Sequence, residues 1–150
     1  MKFVGIDYSM SCPAIAVYDG DPSSFHFETT FFTFLNDTKK FQITKDNVQG
    51  MNHKTWQNDI ERYCNIANWA IDCIGSVDMV FLEGYAFGAK GNVFNIAENT
   101  GILKYKLQQL GNQYMVIPPT EVKKYATGKG NAKKEMMLSL IHISEPTRPY

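Results

Sequence analysis

Hydrophobic positions along the chain change period near its middle, and that change divides the predicted elements. Residues 2–8 (KFVGIDY) and 14–18 (AIAVY) read as strands, the second closing at the turn pair Asp19-Gly20. Residues 25–35 (FHFETTFFTFL) are aromatic and β-branched almost throughout and predict a third strand. Short turns between the three imply an antiparallel meander. Residues 36–54 are polar and predict no firm element, apart from a short edge strand at 41–44.

Beyond residue 54 the period is helical. Trp56, Ile60, Tyr63, Cys64, Ala67, Ala70, Ile71 and Ile74 recur on one face, with Gly75 placed to end the helix. Residues 78–82 (DMVFL) form a compact apolar run, as a buried central strand does. A second helix spans 95–110, striped by Ile96, Thr100, Leu103, Leu107 and Leu110 and ended by Gly111. Residues 113–117 (QYMVI) predict another buried strand. Pro118-Pro119 breaks the chain, Thr120 is placed to cap a short helix through Tyr125, and residues 131–137 begin a further helix. The order β-β-β-α-β-α-β-α predicts an α/β domain. Its sheet is mixed and five-stranded, an antiparallel meander of three strands followed by parallel strands, with helices on both faces.

Composition adds limits. A chain of 150 residues, 44% hydrophobic and 20% charged, suits one soluble domain. No apolar run is long enough for a bilayer and no signal peptide opens the chain, which predicts a cytoplasmic protein with no membrane partner. Cys12, Cys64 and Cys73 are odd in number and lie outside any CxxC cluster, so they read as reduced, largely buried thiols. Trp56 and Trp69 read as core. The net charge is zero but unevenly spread. Residues 1–83 carry 6 Lys/Arg against 11 Asp/Glu, and residues 84–137 carry 8 against 3. An acidic half with potential metal ligands joined to a basic half suits an enzyme acting on a polyanion, although scattered surface charge gives the same counts.

The candidate chemistry lies at two strand ends. Asp7 closes the first strand and Glu83 follows the run 78–82. If those strands are parallel neighbours, both carboxylates converge where ligands of open α/β sheets collect. Two such groups repel unless a cation neutralises them, and hard oxygen ligands favour Mg²⁺ or Mn²⁺, two of which can drive phosphodiester hydrolysis. The plainer alternative is that each acid caps a strand or binds a backbone amide. Thr127–Gly130 (TGKG) lacks the spacing of a nucleotide-binding P-loop.

GIDYS (5–9), LEGYAFGAKG (82–91), NIAENTG (95–101) and PPTEVKKYATGKGNAKKE (118–135) resemble the RuvC-like Holliday junction resolvases, most closely those of bacteriophages, in order and spacing over nearly all of residues 1–137. The resemblance implies an RNase H-like fold and a homodimer that cuts four-way and other branched DNA with two Mg²⁺ or Mn²⁺ ions per site. It implies catalytic, metal-binding roles for Asp7 and Glu83. It places Tyr85, Phe87 and Lys90 in a loop that enters the junction, where an aromatic ring stacks on an unpaired base. Lys123, Lys124, Lys129, Lys133 and Lys134 would contact phosphates; a solvated helix face is the alternative. The family's further catalytic acids lie on a C-terminal helix, and nothing after Met137 supplies them. Residues 138–150 (LSLIHISEPTRPY) lose all periodicity and resemble a translated sequencing-library adapter, so they read as foreign sequence. Neither Glu145 nor His142 takes over the missing role. The expectation is a domain over 1–137 that lacks part of its catalytic set and cuts weakly or not at all. Two rival readings remain: a junction-binding module without catalysis, and a fragment of an actin or sugar-kinase type phosphotransferase.

Overall fold

In a computed structural model the described residues are 1–37, 44–85, 93–133 and 135–137. They form one mixed sheet flanked by three helices. The strands are β1 (Lys2–Asp7), β2 (Ala14–Asp19), β3 (Thr30–Asn36), β4 (Thr44–Lys45), β5 (Val48–Asn52), β6 (Met79–Glu83) and β7 (Tyr114–Ile117). The helices are α1 (Asp59–Ile74), α2 (Val93–Gln109) and α3 (Pro119–Thr127). The sheet order is β4-β5-β3-β2-β1-β6-β7. Its five expected strands are adjacent as β3-β2-β1-β6-β7. The first three form the antiparallel meander, and β6 and β7 join parallel to β1 and to each other.

Two strands extend the sheet beyond the expected five. β5 pairs in parallel with β3, and β4 folds back on it through the turn Asp46-Asn47, where Asp46 has a positive φ. Asn47 fixes this edge, its side-chain amide donating to the carbonyls of Phe27 (2.8 Å) and Thr30 (2.7 Å). Of the edge strand expected at 41–44, only Thr44 lies within the described residues, and it opens β4. The third strand is shorter than expected. Residues 27–29 form a 3-10 turn, and Phe25 is exposed, because Asp21 accepts from Ser23 and starts a turn that the aromatic pattern hides.

The α1 helix starts at Asn58, whose side chain accepts from the Glu61 amide at 2.9 Å, while Glu61 accepts from the Gln57 amide at 2.8 Å. It ends at Gly75, where a φ of 60° favours glycine. Trp56 therefore stands before the helix and is partly exposed, not core, whereas Trp69 is in the core. Thr120 is not a cap either: α3 begins at Pro119, with Pro at the first helical position. Residues 135–137 are helical, in line with the last expected helix. Cys12 is exposed, and Cys64 and Cys73 are half-buried free thiols.

One apolar cluster joins the sheet to α1 and α2. Val4, Ile6, Ile15, Val17, Leu35, Val80 and Leu82 meet Ile66, Trp69, Ala70 and Ile74 of α1 and Leu103 and Leu107 of α2. Cross-strand register puts these sheet residues on one face, since Val4 pairs with both Val17 and Val80. On the opposite face Phe3 and Phe81 hold their rings 6.3 Å apart, and Phe81 and Met115 remain 37% and 50% exposed. Among the described residues, α1 and α2 thus pack on one face of the central strands. No described helix is long and apolar enough to cross a membrane.

Candidate active site

Strand alternation decides where the two acids point. Val4 and Ile6 turn into the core, so Phe3, Gly5 and Asp7 lie on the open face; Val80 and Leu82 do the same for Phe81 and Glu83. The parallel register runs from Phe3 opposite Met79 to Ile6 opposite Leu82. The next step sets Asp7 beside Glu83, on strands about 4.8 Å apart. Both acids occupy the carboxyl edge of the sheet, as the sequence predicts.

Their electrostatics agree with the geometry. The Glu83 carboxyl is held above the ordinary glutamate range, first by partial burial and then by the negative charge of Asp7. Lys123 opposes this, so α3 carries a cation into the field of the acid pair. Glu83 is also fixed from behind. The Gly84 amide donates to the Ile117 carbonyl at 2.8 Å, and a Cβ at Gly84 would come within 3.0 Å of Val116. A side chain directly after the acid would have to displace the Val116 methyl by a few tenths of an ångström.

The remaining candidates divide. Lys123 is half-buried beside Glu83, whereas Lys124, Lys129 and Lys133 are exposed. Tyr85, two residues past Glu83, is exposed, and the Lys104 ammonium lies 5.6 Å from its ring centroid. Phe87, Lys90 and Lys134 lie outside the described residues, as do Glu145 and His142. Lys104 has no sequence signal beyond its place in the basic half. Among the described residues, no three His, Cys, Asp or Glu side chains gather as a metal cluster. The acid pair alone offers two carboxylate ligands, hard oxygens of the kind that suit a divalent cation.

A mixed sheet ordered 3-2-1 and then two parallel strands, flanked by helices, is an RNase H-like fold. No protein-family model matches the chain, and no curated protein does. Among solved structures it is similar to RuvC of Thermus thermophilus, with a TM-score of 0.61 and 17% identity over 99% of this chain and 85% of that one. It is similar also to T. thermophilus RuvC in complex with Holliday junction substrate, with a TM-score of 0.66 and 16% identity over 99% and 84% of the two chains. The chain has the RuvC fold.

Proposed function

We propose that this chain is the nuclease domain of a structure-selective endodeoxyribonuclease that resolves Holliday junctions and other branched DNA by phosphodiester hydrolysis. The observation that carries the reading is Asp7 beside Glu83 at the carboxyl edge of two parallel strands, within a fold shared with a RuvC that is known bound to junction substrate. Asp7 and Glu83 are the residues that would hold Mg²⁺ or Mn²⁺. Two such ions, when bound, supply charge stabilisation and water activation. Lys123 lies where it offsets the charge of a phosphate over the acid pair, and Lys124, Lys129 and Lys133 are free to meet neighbouring phosphates. Tyr85 offers a ring for a splayed base, with Phe87, Lys90 and Lys134 assigned to the DNA by resemblance alone. A homodimer would bring two sites to a four-way junction, matching its symmetry.

The domain proposed is 1–137, with 138–150 foreign to it. Two carboxylates leave most of about six oxygen ligands per cation to water and DNA. This favours a second reading, junction binding without efficient cutting, because no larger acidic cluster occurs among the described residues. A four-way junction incubated with the protein and Mn²⁺ tests both. Slow cleavage is expected, abolished by Asp7→Asn or Glu83→Gln while junction binding persists. Binding with no cleavage at all would favour the second reading. Cleavage unaffected by both substitutions would overturn the site.

A further inference from the structure

The β1–β2 connection begins one residue past Asp7 and is held from two sides. Arg62 of α1 donates from Nη2 to the Met10 carbonyl at 2.9 Å, and His53 Nε2 lies 2.9 Å from the Ser11 carbonyl. Trp56 backs both: the Arg62 guanidinium carbon is 4.6 Å from its ring centroid, and the His53 ring meets it edge-on at 6.0 Å. Within the connection the Cys12 amide donates to Ser9 Oγ at 3.0 Å, which fixes the turn.

Against this connection lies a cavity of about 390 Å³, lined by Tyr8, Ser9, Met10, Ser11, Arg62 and Ile96. Its size is in the range of small-ligand sites. Among the described residues its lining contains one charged group, the Arg62 cation, and no carboxylate. The ion pair found among the described residues joins the N-terminus to Asp19 and leaves Arg62 aside. Arg62 Nε is buried with no hydrogen-bond partner among the described residues, its guanidinium meeting an aromatic face and one carbonyl, while the carboxylates of Asp59 and Glu98 act with it on neighbouring Tyr63. A guanidinium fixed in place, with a buried N–H left unpartnered and a cavity beside it, is an arrangement proteins use to take a phosphate.

We propose that this cavity is a phosphate subsite, which takes the backbone phosphate next to the one lying over Asp7 and Glu83. Arg62 supplies the charge, and Ser9 and Ser11 supply hydroxyls. Neither His53, Trp56 nor Arg62 belongs to the basic run at 123–134; the subsite comes from the acidic half of the chain. The proposal rests on the branched-DNA reading for the source of the phosphate, but the anion site itself can be tested without DNA.

Two measurements on the intact chain test it. In the first, inorganic phosphate is titrated with wild type, Arg62→Gln, Arg62→Lys and Ile96→Glu, followed by ³¹P line broadening, with melting curves to show that each variant folds. Ile96→Glu leaves the Arg62 brace in place and puts a competing carboxylate into the cavity. Broadening is expected with wild type, reduced with Arg62→Lys and lost with the other two. Equal broadening by wild type and both neutralising variants, or none by wild type, overturns the anion site. In the second, four-way junction binding is measured across a salt series without divalent cations. Arg62→Gln and Ile96→Glu should each flatten the slope of log K against log salt by about 0.9, one phosphate's worth, and Arg62→Lys should keep it. Wild-type slopes in both variants would show that the cavity takes free phosphate and not DNA, which overturns the proposal as stated. Absence of any salt-dependent junction binding by wild type overturns the DNA source together with the functional reading, while the phosphate titration still decides the anion site.

Discussion

The two faces of the central strands carry opposite designs. Toward α1 and α2, Val4, Ile6, Val80 and Leu82 are at most 3% exposed and lock into one cluster. One residue along each strand, on the other face, none of Phe3, Gly5, Asp7, Met79, Phe81 and Glu83 is buried. The same ten or so residues of backbone thus serve a closed face, where volume is the constraint, and an open one, where charge is. The closed face can set the spacing of the strands to a fraction of an ångström because it is close-packed. The open face inherits that spacing, and two like charges held side by side are the result. Holding Glu83 beside a second carboxylate raises the cost of ionising it, so the pair adds nothing to stability at neutral pH.

The largest effect that could break this contrast is a truncation on either side of it. Leu82→Ala removes a fully buried side chain and should cost about 2–5 kcal/mol in urea unfolding. Phe81→Ala, one residue away and 37% exposed, should cost well under half as much despite deleting a larger group. Equal costs would mean that the open face is packed against something.

A second contrast separates the acid pair from the basic run that reaches it. Replacing Lys123, Lys124 and Lys129 together by Gln should flatten the salt dependence of junction binding by roughly one unit per lost phosphate contact. Lys123→Gln alone should also weaken cleavage, since that lysine acts on Glu83. An unchanged slope in the triple variant would mean that these side chains point away from the DNA.

The central strands were legible in the sequence because each buries one full face, and their alternating or continuous apolar runs survive any context. The convergence of Asp7 and Glu83 followed from that reading once the two strands were parallel neighbours. What stayed hidden depends on contacts distant in sequence. The β5 strand, VQGMN, is polar and pairs only because the β3 edge and Asn47 receive it. Trp56 fits the helical period of α1 yet stands outside it, since the Asn58 and Glu61 caps set a later start. Arg62 is the one basic residue of α1, but its link to Met10 spans fifty-two positions and leaves no local pattern.

Smaller effects test the electrostatics of the open face. The raised Glu83 carboxyl binds its proton more tightly in the folded chain, so the cost of ionising it is absent in acid below the ordinary glutamate range and fully present at neutral pH. Glu83→Gln should therefore raise the melting temperature at neutral pH without divalent cations, and the gain should shrink as the pH falls through that range. A gain that is constant with pH would point to packing and not to charge. Smaller still, deleting residues 138–150 should leave melting temperature and junction binding nearly unchanged.

Calorimetric titration of Mn²⁺ into the wild type, Asp7→Asn and Glu83→Gln, without DNA, addresses the shared site most directly. Wild type should bind the cation, and each single substitution should weaken that binding at least about tenfold, because each removes one of two direct ligands. Mn²⁺ binding of wild-type strength in either variant would contradict a site built from both acids.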